Sequence, residues 1–180
     1  SDLTLIEAGD EVTFVADARH ARLVTTQLKR RAKAARNVII AGNAELSLGI
    51  VNALYEADED ESVAIPSAIR VIEADRREAR KLALALESRA IVLSGDFDDE
   101  DTLLSAGMEN CDLFIALSDD DENNILSTLL AKKLGAKRTI ALVNRRIYGE
   151  LIEGSRIDVT VSQTQAALDE IIRYVQIGRA

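Results

Sequence analysis

Five short runs rich in Val, Ile and Leu, separated by stretches of helical periodicity, constrain this chain more than any other feature. They are NVIIA (37–41), AIRVIE (68–73), AIVLS (90–94), DLFIAL (112–117) and RTIALV (138–143). Both alternating sets of positions are largely apolar, as in strands buried on both faces of a parallel sheet. The intervening patterns predict helices over Leu46 to Tyr55, Arg76 to Glu87, Asp99 to Ala106 and Asp120 to Leu134, the last stopped by Gly135. A short helix around Tyr148 and Leu151, a sixth strand over 157–162 and an amphipathic helix over 163–177 complete the series. The apolar positions of that last helix, Ala167, Leu168, Ile171, Ile172 and Val175, need a surface to cover. Strand and helix in alternation predict an α/β fold with a doubly wound parallel sheet of six strands and right-handed crossovers.

The first unit, RNVIIAGNAELSLGIVN (36–52), reads as a buried strand turning tightly into a helix, the start of a Rossmann-like nucleotide-binding unit. In the fingerprint G-x-G-x-x-G the first glycine makes the turn, the second admits the pyrophosphate, and the third lets helix and strand pack closely. Gly42, Ala44 and Ser47 hold those places here. In such sheets ligands sit beyond the carboxyl ends of the strands, beside the first strand. Gly42, Asn43, Ala44, Glu45 and Leu46 there present backbone N–H groups at a helix N-terminus, which suits a phosphate. Glu73 ends the second strand, where a carboxylate accepts hydrogen bonds from ribose hydroxyls, or else caps the next helix. Gly95 and Asp96 end the third, placed against an adenine ring, with Phe97 next among the cofactor-binding positions, and Leu117, Ser118 and Asp119 end the fourth across the cleft. The acidic runs 98–101 and 119–122 read as first helical turns, where the helix dipole favours negative charge, in preference to cation sites.

Catalytic apparatus is sparse. The one histidine, His20, lies before the sheet; no tyrosine is followed by a lysine four residues on; neither G-x-S-x-G nor G-x-x-x-x-G-K-[ST] occurs. A nucleotide pocket without acid, base or nucleophile points to a sensor. The single cysteine, Cys111, at the edge of an apolar run, reads as core. Net charge is −9, with seven Lys or Arg against five Asp or Glu in residues 1–36 and fifteen against 26 beyond. That balance argues against nucleic acid as a partner. No run approaches the roughly 20 apolar residues of a membrane span, so no direct membrane insertion is expected.

Residues 1–30 fall outside the sheet pattern. A turn at Gly9 and Asp10, a strand from Glu11 to Val15 and a helix from Arg19 to Lys29 are too little to fold alone. They are expected to be the end of a preceding subdomain, with 31–36 as linker, 37–180 as the nucleotide-binding domain, and the chain as a piece of a longer protein.

Together VIIAGNAELSLG, VIEAD, the acidic stretch from SGD (94–96) through VNR (143–145), and the closing IDVTVSQTQAALDEIIRYV resemble the nucleotide-binding half of a regulator-of-potassium-conductance domain, as in TrkA-type subunits of bacterial potassium uptake systems. EAGDEVTFVADARH is similar to the end of the companion C-terminal subdomain. The resemblance implies a non-enzymatic, cytoplasmic gate controller held at the inner face of the membrane by a potassium translocator. It further implies binding of NAD(H) or an adenine nucleotide, ATP or ADP, and self-association as a dimer or larger ring. Its binding positions fall on Gly42, Glu73, Gly95, Asp96 and Ser118; Ala44 and Ser47 depart from it. Two other readings are an architectural lobe without nucleotide and, against the missing acid-base residues, an NAD-dependent oxidoreductase.

Overall fold

In the computed structural model, residues 35–56, 65–144, 157, 159–161, 171 and 175 are described. Six parallel strands form one sheet: β1 (Asn37–Ala41), β2 (Ala68–Glu73), β3 (Ile91–Ser94), β4 (Leu113–Ala116), β5 (Arg138–Leu142) and β6 (Val159–Val161). Their order is β3-β2-β1-β4-β5-β6, so the winding reverses between β1 and β4. Between the strands lie α1 (Ala44–Glu56), α2 (Arg76–Leu86), α3 (Glu100–Ser105), a 3-10 turn at Met108–Asn110, and α4 (Asp121–Lys133).

Because side chains alternate along a strand, the sheet divides the core into two layers. Val38, Ile40, Val71, Leu113, Ile115 and Ile140 pack with α1 and α2 on one face, and Ile171 and Val175 join that layer. Ile39, Ala41, Ile72, Phe114 and Ala116 pack with α3, the 3-10 turn and α4 on the other. The apolar stripe expected over 163–177 is thus covered, at its two described positions, by this chain's own core, with Ile171 3% and Val175 0% exposed.

Ala35 is buried, and its N–H donates to the Val175 carbonyl at 3.0 Å, so the packed unit already includes the end of the expected linker. α1 begins at Ala44, two residues earlier than the apolar spacing indicates, because Asn43 caps it: Asn43 Oδ1 accepts from the Leu46 N–H at 3.0 Å. The end of α4 is as expected: Gly135, at φ 116°, and Ala136 donate to the Lys132 and Ala131 carbonyls at 3.3 and 3.0 Å, a Schellman closure. β3 differs from the expectation of a strand buried on both faces. It is an edge strand, and Ile91 is 61% exposed. Residues 1–34, 57–64, 145–156 with the helix expected around Tyr148 and Leu151, 158, and 162–180 apart from 171 and 175 lie outside the described residues.

Candidate nucleotide cleft at the carboxyl edge of the sheet

Strand register brings the predicted positions together. Ala41 pairs with Ile72 on one side and Ala116 on the other, and Glu73 pairs with Ser94. Gly95, Glu73, Gly42 and Ser118 therefore follow one another in that order along the same edge. Three hydrogen bonds tie that edge: Gly42 N–H to the Ile72 carbonyl at 3.0 Å, Gly95 N–H to the Glu73 carbonyl at 3.2 Å, and Leu117 N–H to the Ala41 carbonyl at 2.8 Å.

Two requirements select glycine at 42. Its φ is 101°, and a β-carbon there would lie 2.6 Å from the Ser118 nitrogen. The cleft floor is thus the Gly42 turn pressed against the β4 exit. Behind the turn, Ala44 and Glu45 are first-turn residues whose N–H groups have no intrahelical acceptor. Leu46 N–H, expected among the phosphate donors, is taken by the Asn43 side chain. Ser47, in the place of the third glycine, is fully buried, and its hydroxyl donates to the Gly42 carbonyl at 3.4 Å. Helix and strand have accommodated that side chain.

Glu73 does not cap α2. Asp75 does, its Oδ1 accepting from the N–H groups of Arg77 at 2.7 Å and Glu78 at 3.0 Å. Those two bonds hold the Asp75 carboxyl below the usual carboxylate range. Glu73 is 9% exposed; its Oε1 accepts from Asp75 N–H at 2.9 Å, and its Oε2 has no hydrogen-bond partner among the described residues. An unclaimed carboxylate oxygen at the end of β2, beside a glycine turn, fits a ribose hydroxyl pair.

At the end of β3, Gly95 admits α3: a β-carbon there would meet the Thr102 side chain at 2.9 Å. Asp96 is exposed. The Phe97 side chain is 5% exposed within the α3 and α4 layer, leaving only backbone for a ligand. Leu117, 1% exposed, is likewise core. Asp119 is exposed. Asp99 and Asp120 cap α3 and α4, as the first-turn reading of the acidic runs required, and no group of three metal-ligating side chains occurs among the described residues. Cys111 is core: burial pushes its thiol up to about 12.

Ser118 is committed inward. Its N–H and hydroxyl donate to Asn124 Oδ1 at 2.9 and 2.8 Å, and its carbonyl accepts from Asn124 Nδ2 at 2.8 Å. The hydroxyl also lies 3.2 Å from the Asp120 nitrogen and carbonyl. Sequence reasoning missed Asn124. Its signal was an amide in phase with Ser127, Thr128 and Ala131 on the buried side of α4.

The TrkA-N domain family matches residues 38–163, the span that carries this edge. The chain belongs to that family. TrkA-N relatives include two Trk system potassium uptake proteins TrkA. The one from Haemophilus influenzae is 35% identical over 97% of this chain, and the one from Vibrio alginolyticus 36% identical over 96%. This chain spans 36% of the length of each. Among solved structures, the TrkA-N domain of the inner membrane protein ybaL from Escherichia coli has a TM-score of 0.59 at 15% identity, covering 78% of this chain and 97% of that one. The GsuK channel bound to NAD has a TM-score of 0.55 at 18% identity, covering 79% of this chain and 25% of that one. These two likenesses establish a common fold. No described helix is long and apolar enough to cross a membrane.

Proposed function

We propose that this TrkA-N domain is a nucleotide-sensing, non-enzymatic regulatory lobe of a potassium uptake subunit, cytoplasmic and assembled with a membrane potassium translocator and with further copies of its own subunit. The observation that carries it is the Gly42 turn set in register beside a buried Glu73 with one carboxylate oxygen unclaimed. The relatives named for potassium uptake and the channel structure named for bound NAD support the same reading. Ala44 and Glu45 N–H groups would face the phosphates, Glu73 the adenosine ribose, and Asp96 the adenine side. A nucleotide there supplies binding energy, which shifts a subunit between two arrangements only if it favours one of them. Apposed to a 2′-phosphate, the Glu73 carboxylate selects NADH over NADPH; Arg76 and Arg77 start α2, and no described contact joins them to Glu73.

A specific observation favours a second reading, an architectural lobe. The fingerprint glycines are replaced at Ala44 and Ser47, and the Ser47 hydroxyl is bonded back to Gly42. Calorimetric titration of NADH, NADPH, ATP and ADP into the wild-type chain and Glu73→Ala separates the two. Saturable NADH binding is expected, about tenfold or more tighter than NADPH, with Glu73→Ala weakening NADH and narrowing that gap. Absence of heat with all four nucleotides would leave the architectural reading standing.

A further inference from the structure

Asn124 makes four hydrogen bonds with a side chain that is fully buried. Besides the three to Ser118, Nδ2 donates to the Leu142 carbonyl at 2.9 Å. Both lone pairs and both protons of the amide are used. The side chain does for Ser118 what a neighbouring strand would do, answering its N–H and its carbonyl together. It sits where β4 and β5, last paired at Ala116 and Ala141, part company. The same Ser118 nitrogen lies where a β-carbon on Gly42 would come within 2.6 Å. One amide therefore fixes the peptide that forms the β4 wall of the cleft against the phosphate turn.

We propose that Asn124 is a positioning residue for the second half of a dinucleotide, the part that extends past the pyrophosphate onto the β4 side. This rests on the nucleotide reading above. In a doubly wound sheet each half binds one mononucleotide, so the adenosine diphosphate portion lies over β1, β2 and β3, and the remainder over β4 and β5. Asn124 touches only the latter. Its loss releases the Ser118 peptide and the Leu142 carbonyl to seek water, which moves one wall, while Gly42 and Gly95 keep their own bonds to the Ile72 and Glu73 carbonyls.

The test compares NADH with ADP on the 180-residue chain. Asn124→Ala is expected to weaken NADH by about tenfold, the loss of one or two hydrogen bonds' worth of positioning, while ADP affinity is unchanged. Equal weakening of both ligands would assign Asn124 a general stabilising role and overturn the proposal, as would no change in either. Should Asn124→Ala fail to fold, Asn124→Ser, a smaller polar side chain that leaves room for water at the Ser118 and Leu142 carbonyls, decides by the same ratio. A wild-type chain that binds neither ligand overturns the nucleotide reading and this one together. A wild-type chain that binds both, with variants that keep the NADH to ADP ratio, overturns this one alone.

Discussion

Ala44 and Ser47 depart from the fingerprint in physically different ways. Ser47 is sealed between α1 and β1 with its hydroxyl on the Gly42 carbonyl, so its β-carbon is part of the packing. Ser47→Gly should destabilise the fold by about 1 kcal/mol, through lost helix propensity and a lost hydrogen bond, and leave NADH affinity unimproved. Ala44 is only partly buried at the first helical position, with its methyl against the α1 layer. Ala44→Gly should tighten NADH by about 1 kcal/mol by letting the turn approach the pyrophosphate more closely. Urea unfolding and calorimetry on the two single variants check both statements; tightening by Ser47→Gly and none by Ala44→Gly would reverse the assignment. The places of Gly42 and Glu73 on the carboxyl edge were legible in the sequence because both stand at the ends of unmistakable strands. The commitments of Leu46, Phe97, Leu117 and Ser118 were not, since caps and core contacts depend on which atoms meet in three dimensions.

α4 lies where the sequence pattern placed a helix, and it turns a largely polar face inward. The residues it turns inward are Asp121, Asn124, Ser127, Thr128 and Ala131, while Leu126 is 63% exposed. Ser127 and Thr128 satisfy their hydroxyls on their own helix, at the Asn124 carbonyl (3.1 and 2.9 Å) and, for Thr128, also the Ile125 carbonyl (2.7 Å). Small side chains with no outstanding polar demand let the helix lie close on β4 and β5. Asp121 extends the same logic to the β5 exit, accepting from Asn144 N–H at 2.9 Å. Thr128→Leu should therefore cost about 1 to 3 kcal/mol by overpacking, and Leu126→Gln less than about 0.5 kcal/mol. Urea denaturation of the pair tests it, and the opposite ranking would mean the helix is rotated. Strand positions were far more legible than helix facing, because a strand buried on both faces announces itself by composition alone.

Among the described residues, a charged hydrogen-bond cluster ties the amino edge of the sheet, opposite the edge proposed for binding. At the amino edge Asp112 Oδ2 accepts from Arg36 and Asn37 N–H groups, each at 2.9 Å, and Oδ1 from Lys137 Nζ at 2.6 Å, fastening the starts of β1, β4 and β5. Burial pushes the Asp112 carboxyl up, yet the Lys137 ammonium and the two N–H groups together hold it below the ordinary value. A carboxylate with its folded-state pKa depressed adds stability that is complete above the unfolded value near 3.9 and disappears as pH falls through the folded one. Asp112→Ala should lower stability at pH 7 by about 1 to 3 kcal/mol, flatten the decline below about pH 4, and leave nucleotide affinity alone. An unchanged acid profile would remove Asp112 from that role.

The carboxyl edge is where the central claim stands or falls, and amide NMR of the labelled chain during NADH titration reads it residue by residue. Saturable shifts confined to Gly42, Ala44, Glu45, Glu73, Gly95 and Asp96, and to Ser118 and Asn124 on the β4 side, are predicted, with the Asp112 edge still. No shifts, or shifts centred elsewhere, would contradict a nucleotide site on this sheet.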